Sequence, residues 1–299
     1  MKIAITGASG LVGTALTQSL KRGGHDVVAL VRRAPRGPQE VRWDPAGAMV
    51  DTQGLEGCRA VVHLAGENIA EGRWTEAKKR SILESRIVGT ETLSKALAGM
   101  KSKPAALVST SAIGYYGDRG DELLSEESSR GDLFLSRVCE EWEAAARPAA
   151  EVGIRVVHPR VGVVLAADGG ALSKMLLPFK LGAGGRIGDG RQWMSWIALH
   201  DLVRVIEHLI GDANLAGPVN AVAPNPVTNQ EFTKTLGSVL GRPTIVPMPA
   251  FAARIALGEM ADELLLASTR VAPTRLTAAG FRFELPGLAD ALRAILQKQ

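Results

Sequence analysis

Residues 2–6, KIAIT, form an apolar run that leads directly into T-G-A-S-G-L-V-G at 6–13. A helical pattern follows over 11–22, then a second apolar run, HDVVALV, at 25–31. Three glycines spaced by three between a strand and a helix constrain the chain more than any other feature. Gly7 permits a tight turn, Gly10 lets a pyrophosphate approach the backbone, and Gly13 lets the helix lie close on the strand. The helix start offers free N–H groups and partial positive charge to phosphates. Thr6, Ser9, Leu11 and Val12 complete the turn and are expected beside the same ligand.

The same alternation continues. AVVHLAG (60–66), AALVST (105–110) and IRVVHPRVGVVL (154–165) read as further strands, the last as one or two. Helices are expected at 75–99 and 133–150. Strands alternating with helices predict an α/β fold, a Rossmann doubly wound parallel sheet covered on both faces. The 299 residues exceed one minimal domain. We expect a nucleotide-binding domain over 1–170 and a smaller, mostly helical C-terminal lobe over 171–299. The boundary is soft, because later segments can return to the sheet. In the second part, five glycines in LGAGGRIGDGRQ (181–192) predict a loop. Residues 201–211 predict a helix, and Thr228 with Glu231 forms a capping-box spacing that opens another to about 240.

Charge narrows the partners. The net charge of +4 comes from 35 basic and 31 acidic residues without a dense stripe, so nucleic acid is not expected. Cys58 and Cys139 have no zinc spacing, and no other cluster has metal-ligand spacing, so no metal is expected. No leader pattern precedes the first strand, and no apolar run approaches the roughly 20 residues of a membrane span. A cytoplasmic protein with a small-molecule substrate and no membrane partner is the expectation.

The end of the second strand discriminates between cofactors. An acidic residue there suits the ribose 2′-hydroxyl of NAD, whereas this chain reads ALVRRAPRG. Val31 closes the strand, and the guanidinium groups of Arg32 and Arg33 suit a 2′-phosphate. NADP(H) is the expected cofactor. Asp44 is the other acid nearby, but it lies beyond the expected strand end.

TGASGLVG, AVVHLAG and VSTSAIGYYGD together resemble the extended short-chain dehydrogenase/reductase superfamily. HLAGENIAEGRW, ESRIVGT, FLSRVCEEWEAAA and MLLPFKLGAGGRIGDGRQWMSWIALHDL narrow the resemblance. They look like an atypical subgroup labelled nucleoside-diphosphate-sugar epimerase-like, with a C-terminal domain of unknown function. The resemblance implies that Leu64, Ala65 and Gly66 line the adenosine and ribose side of the cofactor. It places Arg86 near the cofactor, Ser111 on the reacting oxygen, and Arg160 and Val164 facing the nicotinamide.

One departure matters. Superfamily catalysis uses Tyr-x-x-x-Lys one helix after the Ser, the Lys lowering the Tyr pKa. Here the two tyrosines, Tyr115 and Tyr116, are followed four residues later by Arg119 and Gly120. No lysine stands between Lys103 and Lys174. Three readings stay open. An oxidoreductase could use Tyr115 or Tyr116 with Ser111, helped by Arg137, Cys139, His200 or Asp201. A non-catalytic protein could bind NADP(H) as a sensor or scaffold. An epimerase acting on a nucleotide sugar would need the same missing base.

Other residues carry plainer expectations. Trp193 and Trp196 are expected to pack the glycine-rich loop rather than stack on a substrate. Arg186 and Arg191 either clamp an anion or face solvent. His63 is read as a satisfied strand-end histidine. Residues 251–266 form an amphipathic stripe expected to pack on the domain, with a homodimer as the other reading.

Overall fold

The computed structural model describes residues 1–297. Its main sheet carries β1 (Lys2–Thr6), β2 (Asp26–Val31), β3 (Glu40–Asp44), β4 (Met49–Val50) and β5 (Cys58–His63). It continues with β6 (Ala106–Ser109), β7 (Ser111–Ala112), β8 (Arg155–Val161) and β9 (Gly217–Ala221). The order is β9-β8-β6-β5-β1-β2-β3-β4, with β7 paired beside β8. All pairings are parallel except β3 with β4. The order reverses between β5 and β2 around β1, which opens the crevice where α/β sheets bind ligands.

Side-chain alternation along β1 splits the core. Ile3 and Ile5 pack under α1 (Leu11–Arg22) through Leu16 and Leu20, and under the later helix Leu199–Gly211 through Val203 and Ile206. Ala4 faces the opposite side, with Leu93 and Leu97 of α2 (Glu76–Gly99). The result is the expected doubly wound α/β sheet.

Four local departures have physical causes. The single helix expected over 133–150 is two, α3 (Phe134–Ala144) and α4 (Arg147–Glu151). Pro148, in the first turn of α4, has no N–H and its ring crowds the carbonyl four residues back. The strand β3 buries only Val41 and Trp43, so its pattern is short. The edge strand β9 contains Pro218, which an edge tolerates. It comes from beyond residue 170, so the later part of the chain does return to the sheet.

The fourth departure is the helix α5 (Gly170–Lys180), which precedes the glycine-rich loop and buries Leu172, Leu176 and Phe179. After it come α6 (Leu199–Gly211), α7 (Asn229–Leu240), α8 (Ala250–Leu257) and α9 (Leu288–Leu296). The capping box forms as expected, with Thr228 Oγ1 accepting from Glu231 N and the Glu231 carboxylate accepting from Thr228 N.

Candidate functional site

The site begins at the crevice beside β1. Gly7 has φ +67°, and a Cβ there would lie 2.9 Å from the Leu64 carbonyl carbon. A Cβ on Gly13 would lie 2.1 Å from the Gly7 carbonyl oxygen. Both glycines are therefore demanded by the protein's own backbone. Gly10 is different, because its nearest contact would be an ordinary 3.4 Å. Ser9 and Gly10 are exposed, and α1 starts with no side-chain cap and no acid in its first turn. The N–H groups of Leu11, Val12 and Gly13 precede the first intrahelical donor, Thr14. This donor set, open on one side, fits a phosphate.

The walls of the crevice come from neighbouring strand ends. Thr6 does not face a ligand, contrary to expectation, because it is fully buried. Its hydroxyl accepts from the N–H groups of Leu64 (3.1 Å) and Ala65 (3.2 Å) and donates to His63 Nδ1 at 2.7 Å. That network assigns the His63 proton to Nε2, which has no partner. Burial pulls the His63 pKa down to about 4, so the ring is neutral. Thr6 thus pins Leu64 and Ala65 alongside Gly7, leaving Gly66 exposed at the rim.

Arg86, on α2, lies against Gly66. Its guanidinium sits 5.0 Å from the Trp142 ring centroid, and Nη1 donates to Ile82 O at 3.1 Å. Among the described residues it has no carboxylate partner, and burial lowers its pKa. At the end of β2, Val31 is half-buried and the two arginines separate. Arg33 grips Glu40, with Nη1 2.7 Å from Oε2, and Arg36 N donates to the same carboxylate. These bonds pull the Glu40 pKa down to about 2. Arg33 is therefore engaged within its own turn, unlike a guanidinium held free for a phosphate. Arg32 is exposed and makes no hydrogen bond or ion pair among the described residues.

Beyond β6, the residues expected to act on substrate form a buried polar chain. Ser111 Oγ donates to Glu143 Oε1 at 2.7 Å. Arg160 holds that carboxylate with two bonds of 2.9 Å, and its Nη1 donates to the Tyr116 hydroxyl at 3.1 Å. Tyr116 donates to Asn220 Oδ1 at 2.6 Å, and Glu126 accepts from Asn220 N. Tyr116 is fully buried, and burial pushes its phenol up to about 12. This corrects two expectations. Tyr116 is a core residue rather than a proton donor, and the Arg160 guanidinium is turned inward onto Glu143. Ser111, expected on the reacting oxygen, already gives its proton to Glu143. The register that places Ser111 opposite Arg160 in β7 and β8 creates the cluster.

Tyr115 differs from its neighbour. It is half-buried, and its ring lies 3.4 Å under the Arg160 guanidinium carbon. Its hydroxyl has no hydrogen-bond partner among the described residues. On α3, the residues four apart that lie against Gly114 are Leu135 and Cys139. Burial pushes the Cys139 thiol up to about 11, and Arg137 points to solvent. Leu135 sits in an apolar cluster with Ile82, Val138 and Leu264. Val164 is half-buried and pairs with Ile197.

The remaining candidates are structural or exposed. His200 pairs with Glu284 at 2.6 Å on the surface. Asp201 is buried and accepts from the N–H groups of Glu284 and Leu285, so neither enters the crevice. Trp196 is core, donating to Asn225 O, as expected. Trp193 donates to Asp121 under the Arg270 guanidinium. Arg186 donates to Asp189 O, and Arg191 is exposed. Glu143, Asn220 and Glu126 were not singled out from sequence, because only the pairing of distant strands brings them to Ser111. No metal-binding cluster stands among the described residues, and no described helix is long and apolar enough to cross a membrane.

Comparison with known proteins supplies context. Residues 3–221 match the NAD dependent epimerase/dehydratase family, and residues 248–295 match a domain of unknown function, DUF1731. An epimerase family protein of Mycobacterium bovis is 46% identical over 290 residues, covering 97% of this chain and 96% of the relative. The human epimerase family protein SDR39U1 is 39% identical over 299 residues, covering 99% and 100%. A crystal structure of human SDR39U1 with NADPH superposes with a TM-score of 0.92 at 37% identity, covering both chains fully. A structure described as a nucleoside-diphosphate sugar epimerase of Corynebacterium glutamicum gives 0.82 at 40% identity. It covers all of this chain and 59% of that one.

Proposed function

The chain belongs to the NAD dependent epimerase/dehydratase family, and from that premise we propose that it binds NADP(H) and works as a nicotinamide-dependent oxidoreductase without a Tyr-x-x-x-Lys pair. The observation that carries the reading is the open α1 start around Gly10, flanked by an unpaired Arg32. The α1 N–H groups hold the pyrophosphate, and Arg32 meets the 2′-phosphate. Leu64, Ala65 and Gly66 line the adenosine and ribose side. Arg86, an unpaired cation beside Gly66, sits next to Cys139 and supplies there the positive charge that a lysine would give. The human relative crystallised with NADPH supports the choice of cofactor.

A bound nicotinamide would supply hydride chemistry at a substrate carbon. The matching proton must come from the chain, and Tyr115 has the free phenol for it. Its ring is fixed by Arg160, which in turn is fixed by Glu143. Ser111, already donating to Glu143, meets the substrate as a hydrogen-bond acceptor. Leu135 cannot move a proton, and the Cys139 thiol stays protonated at neutral pH.

A second reading, a non-catalytic NADP(H) sensor, is favoured by the internal saturation of Ser111, Tyr116 and Arg160. The discriminating experiment follows the fluorescence of bound NADPH and NADH, then tests oxidation of bound NADPH against a panel of carbonyl compounds. Turnover that Tyr115→Phe abolishes, with cofactor affinity unchanged, supports the oxidoreductase. Tight binding with no turnover on the panel favours the sensor, and no nucleotide binding refutes both.

A further inference from the structure

Of the twelve large apolar side chains exposed among the described residues, seven fall in two stretches, 177–181 and 245–255. The most prominent are Leu177, Leu181, Ile245, Phe251 and Ile255, each 64–81% exposed. The two stretches adjoin, since a Cβ on Gly182, just after Leu181, would lie 3.8 Å from Pro243 Cγ. Gly188 N donates to Met248 O and Met248 N to Arg186 O, both at 2.8 Å, which zips the glycine-rich loop to the segment entering α8. Phe251 and Ile255 are four apart on α8, whose inner side buries only Ala253. The loop after Gly66 joins the same face through Arg73, which donates to the Ile255 carbonyl, and through Lys174, which donates to Ala70 O.

The two apolar stretches carry basic residues and no acids. Residues 170–188 and 240–258 contain no Asp or Glu and carry Lys174, Lys180, Arg186, Arg242 and Arg254. Arg254 pairs with Asp262, and the other four have no carboxylate partner among the described residues. Acids border these stretches: Glu71 is exposed on the loop that carries Arg73, Glu259 is held by Lys79, and Asp189 accepts from Arg191 N, so the cations outnumber them.

We propose that this face seats the protein on the surface of an anionic lipid bilayer. Apolar side chains that protrude, rather than line a groove, fit the headgroup and acyl boundary, and the surrounding cations fit acidic headgroups. A second copy of the same face would bring like charges together. The expectation of no membrane partner rested on the length of apolar runs, which concerns spanning; seating depends on which side chains protrude. The proposal is independent of the cofactor reading.

The test sediments the full chain with vesicles of phosphatidylcholine, alone or mixed with phosphatidylglycerol. Wild type is expected to pellet with the mixed vesicles, poorly with phosphatidylcholine alone, and less as salt rises. The double variant Phe251→Ser, Ile255→Ser should lose about tenfold or more in partitioning. Lys180→Ala and Arg242→Ala should each lose about fivefold. These side chains are exposed, so unchanged thermal melting and NADPH affinity keep folding out of the comparison. Three results would overturn the proposal. One is no binding to the mixed vesicles, or binding that the variants leave unchanged. Another is a dimer by light scattering that the double variant dissolves. The third is binding to polyglutamate as tight as to vesicles and retained by the double variant, which would point to an acidic protein.

Discussion

Gly10 and Gly13 stand three residues apart and should respond oppositely to the same change. In Gly13→Ala the new carbon would sit 2.1 Å from a backbone oxygen that cannot move aside, so stability should fall by about 2 kcal/mol or more. In Gly10→Ala the carbon finds ordinary space in the protein and enters the region assigned to the pyrophosphate. Thermal melting should be nearly unchanged while NADPH affinity drops; a Gly10→Ala protein that binds NADPH normally would contradict the phosphate site. His63 offers a pH test. Its ordinary pKa near 6.5 falls to about 4 in the fold, so the unfolded chain binds the extra proton between those values. Stability is complete above about pH 6.5 and declines as pH falls towards 4, by an amount on the order of 3 kcal/mol. Burial lowers His158 in the same direction. Urea midpoints between pH 7 and 4.5 should fall, and less steeply in His63→Asn; an identical slope in that variant would remove His63 from the account.

At the scale of elements, α3 shows what a sequence exposes and what it hides. Local signals were readable. The glycine turn, the capping box at Thr228 and Glu231, and the periodicity of α1 and α2 depend on neighbours in the chain, and each formed at its expected place. Leu172, Leu176 and Phe179 carried a helical spacing in α5 that proximity to the glycine-rich loop obscured. Pairings across distance were not readable. Ser111 and Arg160 meet through strand register, and Glu143 joins them from α3. The separation of Arg32 from Arg33 depends on Glu40 folding back from β3, which no spacing announces. Even the start of α3 is finished from afar, because the Glu263 carboxylate accepts from Phe134 N and Leu135 N. Glu143→Gln should be costly, since it leaves the buried Arg160 guanidinium without its counter-charge. A loss of about 3–5 kcal/mol is expected in urea unfolding. A change below about 1 kcal/mol would mean that the pair is not load-sharing in solution.

Over the whole molecule, the sheet draws on both early and late segments of the chain. The later part supplies β9 to the sheet edge and α6 to one face, so the sheet is completed only after the glycine-rich loop is made. Leu264 then packs with Ile69 and Trp74 of the loop after β5 and with Leu135 of α3. Apolar side chains from both parts therefore cover the helix on which the superfamily usually carries its acid. That arrangement leaves the nucleotide end of the crevice as the part with open donors. Arg32 is the group proposed to select the 2′-phosphate. Its most direct test is the ratio of NADPH to NADH dissociation constants in wild type and in Arg32→Ala, titrated by fluorescence. Wild type should favour NADPH, and Arg32→Ala should weaken NADPH by about tenfold or more while leaving NADH nearly unchanged. An equal loss for both nucleotides, or no loss for either, would contradict the assignment.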